Sequence, residues 1–369
     1  MKITIFGLTI SSSWGNGHAT LWRGLCRGLS GAGHHVTFFE HDVPYYAGAR
    51  DFYEMPVGGE LVLYESWDEI YARAARETAE CDVAIVTSYC PDAIVATDLV
   101  LDSAPLSVFY DLDTPVTLSR RARGEANFYI GPRGLGDFDL VLSYTGGGAL
   151  DALRSELGAR RVAPLYGHVD PEQHRPAEPR EAYRADLSYL GTYAADRQAA
   201  LEALFLEPAR RRPHWRFLIG GALYPAEFPW GRNIYFVRHL PPGEHPAFFA
   251  SSRATLNITR ADMARMGWCP SGRLFEAASC AAPILTDSWD GLDAFFAPGS
   301  ELIVVNNAED VLAALALSDE ELKTMAARAR ARVLAEHTSE HRARELLAIL
   351  EETSRDDARA EPPRLALEA

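Results

Sequence analysis

Short apolar segments alternate with amphipathic segments along most of the chain, and this alternation restricts the fold more than any other feature. Segments 2–7, 82–88 and 105–110 are rich in Val, Ile, Phe and Tyr, which is typical of buried β-strands. Segments 19–30 and 67–80 have the spacing of amphipathic helices and separate these strands. Strands that alternate with helices form a parallel, doubly wound sheet, so the sequence predicts an α/β fold.

The alternation is interrupted once, at segment 166–186, which is rich in Pro and charged residues and is typical of a connection between domains. A second alternating series follows it. The chain has 369 residues, more than a single core usually supports. The predicted organisation is an N-terminal domain over 1–165, a linker over 166–186, a C-terminal domain over 187–335, a C-terminal helix over 336–352 that packs back on the first domain, and a disordered tail over 353–369.

A long polar loop, residues 8–20, follows the first strand at the edge where doubly wound sheets bind ligands. Exposed backbone N–H groups and glycines favour anions and allow close approach. Glu40, at the end of the second strand, would suit a dinucleotide fingerprint, but the loop lacks the third glycine of that motif. A flexible cleft loop with a helix-capping His18 is another alternative. We predict a substrate loop formed by Gly15, Asn16, Gly17 and His18.

Two carboxylates, Asp111 and Asp113, come directly after the strand at 105–110. Polar functional groups collect at such strand ends. Asp113 could instead cap the turn at Thr114 and Pro115. A metal site would need a third ligand, which the sequence does not offer, so no metal is predicted. We expect Asp111 to be the functional residue of the pair.

The segment 269–289 places one acid, Glu276, among small and apolar residues. If Ser271 caps a helix, Gly272 and Arg273 lie in its first turn, where N–H groups and the guanidinium suit a diphosphate. Glu276 lies one turn further on the same face and could accept both hydroxyls of a ribose. The alternative is a surface Arg273–Glu276 pair, which contributes only ~0.3 kcal/mol.

Composition limits the partners and the location of the protein. The net charge of -15 argues against general binding to nucleic acid or anionic membranes, which attract positive surfaces. No segment approaches the ~20 apolar residues that span a bilayer, and the first residues lack a signal-peptide pattern, so we expect a cytoplasmic protein. The five cysteines form no metal-ligand pair and are expected to be reduced and mostly buried. The oligomeric state is left open.

Residues 255–296 resemble the donor-binding block of GT-B-fold glycosyltransferases, most closely the CgeB-type (spore-maturation-protein-like) branch. The resemblance extends to about residue 350. It implies two Rossmann-like domains with a cleft between them, a nucleoside-diphosphate sugar on the C-terminal domain and an acceptor on the N-terminal domain. A UDP-sugar is the first choice of donor, and no cofactor is implied.

The resemblance also assigns roles to single residues. Glu276 takes the place of the ribose-binding glutamate. In many relatives an Arg and a Lys grip the phosphates; here Thr192 stands in the first place and Arg197 in the second. The other implied contacts are Ser271, Gly272 and Arg273 near the diphosphate, Gly220, Arg238 and His239 near the base, and Asp111 and Asp113 near the sugar.

One departure concerns Trp268, which stands eight positions before Glu276 where retaining relatives carry an acid. Asp262 is the nearest upstream acid and could replace it. In an inverting mechanism His18 or Asp111 would be the base, whereas in a retaining mechanism the leaving phosphate takes the proton. The sequence thus predicts a metal-independent glycosyltransferase. The alternatives are a nucleotide-sugar epimerase or hydrolase, or a non-catalytic nucleotide-sugar-binding protein of surface assembly.

Overall fold

Two separate parallel sheets organise the protein in a computed structural model that describes residues 1–360, with side chains to residue 355. We call residues 1–165 the N-terminal half and residues 185–336 the C-terminal half. Each half contains one sheet with helices on both faces. The predicted fold class is confirmed: the chain is an α/β protein built from two Rossmann-like halves.

The N-terminal sheet has seven strands. They are β1 (Lys2–Gly7), β2 (His35–His41), β3 (Gly59–Tyr64), β4 (Val83–Thr87), β5 (Ser107–Asp111), β6 (Leu140–Ser143) and β7 (Val162–Pro164). Their order is β3-β2-β1-β4-β5-β6-β7, and in the register Ile3 of β1 faces Val36 on one side and Val83 on the other. The order reverses beside β1, so the loop that follows β1 lies at the ligand-binding edge of the sheet.

The C-terminal sheet has six strands. They are β8 (Ala185–Leu190), β9 (Phe217–Gly221), β10 (Ile234–Arg238), β11 (Ser252–Asn257), β12 (Ile284–Thr286) and β13 (Ile303–Val304). Their order is β10-β9-β8-β11-β12-β13, with the reversal beside β8. The loops after β8 and β11 therefore face the N-terminal half across the cleft.

Helices cover both faces of each sheet. Those of the N-terminal half are α1 (His18–Gly31), α2 (Pro44–Ala47), α3 (Trp67–Glu80), α4 (Ala93–Ser103), α5 (Thr114–Ala122) and α6 (Gly148–Leu157). The later ones are α7 (Gln198–Leu201), α8 (Glu207–Arg211), α9 (His245–Ala250), α10 (Ala261–Met266), α11 (Gly272–Ser279), α12 (Ala308–Ala314), α13 (Asp319–Glu336) and α14 (Ser339–Ala360). Among the described residues, no helix is both long enough and apolar enough to cross a bilayer.

Alternating side chains of the strands build the cores. Ile3 and Ile5 of β1 pack with the helices on one face of the N-terminal sheet, whereas Phe6 packs with the helices on the other. This alternation is the period of a strand buried on both faces. The five cysteines are free and buried, as predicted.

The last helix, α14, returns to the N-terminal half and packs against α1. Two glycines of α1, Gly24 and Gly28, permit the close approach. A Cβ on Gly24 would meet the Ser339 hydroxyl, and one on Gly28 would lie 2.8 Å from the backbone oxygen of Ser339 and 3.0 Å from the Cβ of Ala343. Beside this contact, Val169 pairs with the segment between α13 and α14, accepting from Ser339 N and donating to His337 O. The chain therefore crosses between the halves twice, at Val169 and at residues 337–339, and the two crossings lie side by side.

The C-terminal end differs from the sequence prediction in two respects. The helical stretch expected over 336–352 begins at Ser339, because the chain breaks at His337 and Thr338 to form the crossing. The disordered tail expected from residue 353 is wrong for residues 353–360, which continue α14. Thr353 is buried there and donates to the carbonyl oxygen of Ile349. The remainder of the predicted tail, 361–369, lies outside the described residues.

Candidate active site

A cavity of about 510 Å³ lies between the two halves at the carboxyl ends of the sheets. Both halves contribute polar side chains to it. From the loops around β1 and β5 come Asn16, His18 and Asp113, together with the backbone of Gly15 and Gly17; from the C-terminal half come Arg197, Arg260, Ser271, Gly272, Arg273 and Glu276. The structure thus brings most of the sequence-predicted site residues to one place.

The amino end of α11 opens into this cavity. Ser271 is its N-cap, and the Ser271 hydroxyl accepts a hydrogen bond from the backbone N–H of Arg273. Gly272 leaves the end of the helix open: a Cβ there would meet only the hydroxyl of Tyr144, at 3.9 Å. The free N–H groups and the positive end of the helix dipole favour an anion at this point.

Glu276 is 4% exposed and lies one turn inside α11. It does form the pair with Arg273 that was the alternative interpretation, but the carboxylate is buried rather than at the surface. Burial alone would raise the pKa of Glu276, but Arg273, His174 and His245 together outweigh it and hold the pKa well below its usual range. The site therefore presents an ionised acceptor at physiological pH.

Two buried histidines lie behind Glu276. Oε2 of Glu276 is 3.5 Å from Nδ1 of His245 and 3.8 Å from Nε2 of His174, and the two rings are hydrogen-bonded at 3.1 Å. Burial lowers the pKa of His174 to about 4, so the pair is neutral. The potential ligand atoms of the three residues lie within 4.8 Å of one another and could hold a cation. Arg273, however, already supplies a positive charge to the same Glu276 oxygen.

Arg197 also lines the cavity, from the segment after β8. Its Nη1 donates to the carbonyl oxygen of Thr192 at 3.1 Å, whereas its buried Nε has no partner. A buried guanidinium N–H without an acceptor is costly unless a ligand satisfies it. Arg197 is thus placed to bind an anion in the cavity.

The polar loop after β1 is held by Glu40. The Glu40 carboxylate accepts hydrogen bonds from Thr9 Oγ1 at 2.6 Å and from the backbone N–H groups of Ile10 and Ser11 at 2.8 and 3.0 Å. Glu40 is 1% exposed and is therefore a structural residue, not the ribose-binding acid that a dinucleotide fold would need. At the tip of the loop, the Trp14 ring lies 4.6 Å from His239 of the other half.

His18 and Asp113 form the polar pair on the N-terminal wall. Nε2 of His18 lies 3.9 Å from Oδ2 of Asp113, and the buried Nδ1 has no partner. Burial lowers the pKa of His18, Asp113 opposes this, and Arg260 lowers it further. A neutral imidazole in this position can accept a proton.

Asp111 requires a correction, because it does not line the cavity. It is fully buried, and its Oδ1 accepts hydrogen bonds from Asp113 N and Thr117 Oγ1 at 3.1 Å each. Asp111 therefore stabilises the β5–α5 turn, and Asp113, which caps α5 without a side-chain hydrogen bond, points into the cleft instead. Burial raises the pKa of Asp111 to about 6. Successive positions of a turn point in different directions, which the sequence pattern could not resolve.

The residues predicted near the base lie apart from the large cavity. Gly220 is buried inside β9, where a Cβ would touch Leu190 and Phe248, and Arg238 and His239 contact Trp14. A second cavity of about 310 Å³ continues from the first beyond Glu276, between α1 and the loop at 241–243. It is the space next to Glu276 that could receive a base, and none of the three predicted residues lines it.

Trp268 and Asp262 do not line the large cavity either. The Trp268 ring packs between Gly147 of the N-terminal half and Gly291, where built Cβ atoms would lie 2.6 and 2.5 Å from it. Asp262 is paired with Arg265 on α10. Asp262 is thus not placed to replace an acid at the site.

Arg260 is the main site residue that sequence reasoning missed. It lies after β11 and lines the cavity, with Nε 3.1 Å from Asp196 Oδ2 and Nη1 4.0 Å from Asp113 Oδ2. Its position three residues beyond a strand of the C-terminal sheet was a signal that could have identified it.

Comparison with known proteins gave a family match for the C-terminal half of the chain. Residues 197–348 match the model of the family described as glycosyl transferase-like. The comparison with curated protein sequences gave no match.

Several solved structures share the whole fold. Sucrose-phosphate synthase from Thermosynechococcus elongatus aligns with a TM-score of 0.70 at 13% identity, covering 95% of this chain and 98% of that one. HepE from Anabaena, in complex with UDP and glucose, gives 0.66 at 14% identity, with 95% and 99% covered. An alpha-glucosyltransferase in complex with UDP gives 0.68 at 13% identity, with 95% and 100% covered.

The C-terminal half thus matches a glycosyl transferase-like family, and the chain as a whole has the two-domain fold of these solved structures.

Proposed function

We propose that the protein transfers a sugar from a nucleoside-diphosphate sugar, UDP-sugar as first choice, to an acceptor bound on the N-terminal half. The observation that carries this proposal is the cavity at α11, where an open helix N-terminus, Arg197 and Arg273 lie around the buried, ionised Glu276. The choice of UDP is supported by the solved structures of the same fold that contain UDP or UDP-glucose.

In the proposed donor complex, Glu276 accepts the ribose hydroxyls and the helix N-terminus binds the diphosphate. The groups proposed to surround the phosphates are Ser271, Gly272, Arg273 and Arg197, which all line the cavity. These donors are fixed before the reaction and stabilise the negative charge that develops on the departing diphosphate. We propose metal-independent transfer because these groups supply that positive charge.

The acceptor is proposed to bind at the N-terminal wall. His18 and Asp113 lie there with Asn16 and the backbone of Gly15 and Gly17. The partly buried His18, whose pKa is lowered, could take the proton of an acceptor hydroxyl if transfer inverts the anomeric centre. If transfer retains it, the leaving phosphate takes the proton and His18 positions the hydroxyl.

The acceptor is proposed to be something other than nucleic acid. One alpha-glucosyltransferase of the same fold is bound to DNA. This chain has a net charge of -15, which repels a polyphosphate backbone. The assignment to the CgeB-type branch rests on residues 255–296 and stays a prediction.

The test is titration of the purified protein with UDP, GDP, TDP, ADP and CDP, followed by a panel of UDP-sugars. We expect UDP to bind, because bound ligand stabilises the folded state by mass action. Arg273→Ala should weaken UDP more than uridine, by ~1–3 kcal/mol for a charge-assisted hydrogen bond. Arg265→Ala is the matched control, since Arg265 is exposed and its partners among the described residues are Asp262 and the helix backbone.

Failure of all five nucleotides to bind would refute the proposal. Turnover of a UDP-sugar alone, without an acceptor, would instead indicate an epimerase or hydrolase. Binding without turnover across a broad acceptor panel would favour a non-catalytic nucleotide-sugar-binding protein.

A further inference from the structure

Three arginines line the large cavity within the part of the chain that the structure describes, namely Arg197, Arg260 and Arg273. Two of them already have a role in the proposed donor site. Arg260 does not, although it lies at the same end of the C-terminal sheet. Its guanidinium is about one quarter exposed and is therefore accessible from the cavity.

Arg260 links two parts of the site. Its Nε lies 3.1 Å from Oδ2 of Asp196, the residue directly before Arg197. Its Nη1 lies 4.0 Å from Oδ2 of Asp113, across the cleft. The guanidinium is therefore next to the Arg197 turn on one side and next to the acceptor wall on the other.

The contact between Arg260 and Asp113 is too long for a hydrogen bond. A guanidinium–carboxylate hydrogen bond is about 2.7–2.9 Å long, so a separation of 4.0 Å is attraction without a hydrogen bond. The same Oδ2 atom lies 3.9 Å from Nε2 of His18. Asp113 thus lies between two basic groups and is held closely by neither.

A diphosphate in the cavity would compete with Asp113 for Arg260. It carries more negative charge than one carboxylate, and its oxygens match the fork of N–H donors on a guanidinium. Asp196 can remain paired with Arg260 through Nε, which leaves the Nη groups free to turn toward the phosphates.

We propose that Arg260 is a third cation for the donor diphosphate and that Asp113 is its counterion only while the diphosphate site is empty. This inference rests on the proposed function and deepens it. When a donor binds, Arg260 turns from Asp113 to the phosphates, and Asp113 is left facing His18 and Tyr89. Occupation of the donor site thereby changes the charge at the acceptor wall.

The first test compares UDP with uridine by calorimetric titration. Arg260→Gln should weaken UDP binding by about 10- to 100-fold, as for the loss of a charge-assisted hydrogen bond, and uridine binding by less than about threefold. Arg260→Lys should recover part of the loss. Arg265→Gln, on the adjacent helix α10, is the matched control and should bind both ligands as the wild type does.

The second test is a double-mutant cycle, which a merely structural role of Arg260 would not satisfy. Asp113→Asn should strengthen UDP binding by about three- to tenfold in the wild-type background, because it removes the competing carboxylate. In the Arg260→Gln background the same change should alter UDP binding by less than about twofold. Circular dichroism of each variant checks that it is folded.

Equal effects of Asp113→Asn in the two backgrounds would overturn the inference, as would wild-type UDP affinity in folded Arg260→Gln and Arg260→Lys variants. In both cases the wild type binds UDP and the proposed function stands. If the wild type itself fails to bind UDP, the proposed function fails and this inference fails with it.

Discussion

The hydroxyl group of Thr20 lies 3.4 Å from Oε1 of Glu276, although the two residues are 256 positions apart in the sequence. Thr20 belongs to α1 of the N-terminal half and Glu276 to α11 of the C-terminal half. Oε2 of Glu276 is occupied by Arg273. In the proposed donor complex Oε1 is therefore the oxygen that faces the ribose, and Thr20 is its neighbour across the cleft.

Glu276→Gln is expected to weaken UDP binding by at least about tenfold, because a neutral amide replaces the charged acceptor of the ribose hydroxyls. Thr20→Val, which removes only the hydroxyl group, is expected to change the affinity by less than about threefold. Titration with UDP and with its 2′,3′-dideoxy analogue measures both. If Glu276→Gln discriminates between the two ligands as well as the wild type, Glu276 is not the ribose ligand.

Gly28→Ala is expected to destabilise the protein by about 1–3 kcal/mol, as for overpacking, although alanine is the better helix former. The added Cβ would lie 2.8 Å from the backbone oxygen of Ser339. Gly31→Ala, in the last turn of the same helix, has no neighbour within 4 Å and should be neutral or slightly stabilising. Urea denaturation of the pair checks this, and equal midpoints would contradict the described packing of α14 on α1.

Gly147→Ala is expected to lower stability by about 1–3 kcal/mol from backbone strain alone, because its φ of 55° and ψ of -135° are unfavourable for a residue with a side chain. A steric part adds to this, since the Cβ would meet the Trp268 ring at 2.6 Å. Adding Trp268→Ala to Gly147→Ala should relieve only the steric part of the loss in stability. Gly148→Ala is the control, because nothing lies within 4 Å of that position. Thermal unfolding of the wild type, Gly147→Ala, the double variant and Gly148→Ala measures these differences.

Stability is expected to fall as the pH is lowered from about 6.5 toward 5, with His168 as one cause. Burial, with help from Arg342 and against the pull of Glu276, lowers the pKa of His168 to about 3. The imidazole of His168 gains a proton near pH 6.5 in the unfolded chain but not in the folded one. His168 therefore leaves the free energy of unfolding unchanged above pH 6.5 and lowers it below that pH by about 1.4 kcal/mol per pH unit.

His174 and His337, each with a pKa lowered to about 4, act in the same direction as His168, whereas Asp111, with a pKa raised to about 6, acts against them. His168→Asn should therefore reduce the pH slope of the unfolding free energy without abolishing it. Urea denaturation at pH 7, 6 and 5 measures that slope. Identical slopes for wild type and variant would show that His168 is not the group concerned.

The sequence predicted the elements that have strong local signals. The capping position of Ser271 and the buried strands β1, β4 and β5 follow from residue type and period, which act over a few neighbours. The strand β3 was missed, since it is an edge strand with several exposed or half-buried positions and weaker periodicity.

The candidate site could be predicted only in part for a related reason. Glu276 and Arg273 are neighbours on one helix, so their spacing alone brings them together. Arg260 and Asp113 meet across the cleft, and the sequence does not encode that distance locally. Asp113 lines the cavity in place of the expected Asp111 because of the direction in which the β5–α5 turn points its side chains. The Asp111 side chain is directed inward, where it accepts a hydrogen bond from Thr117.

The two passages of the chain between the halves lie side by side, joined through Val169 and the segment at His337 and Ser339. Because these two backbone segments are hydrogen-bonded to each other, the two covalent connections between the halves form one structural unit. A substitution that disturbs this pairing would therefore act on both connections at once.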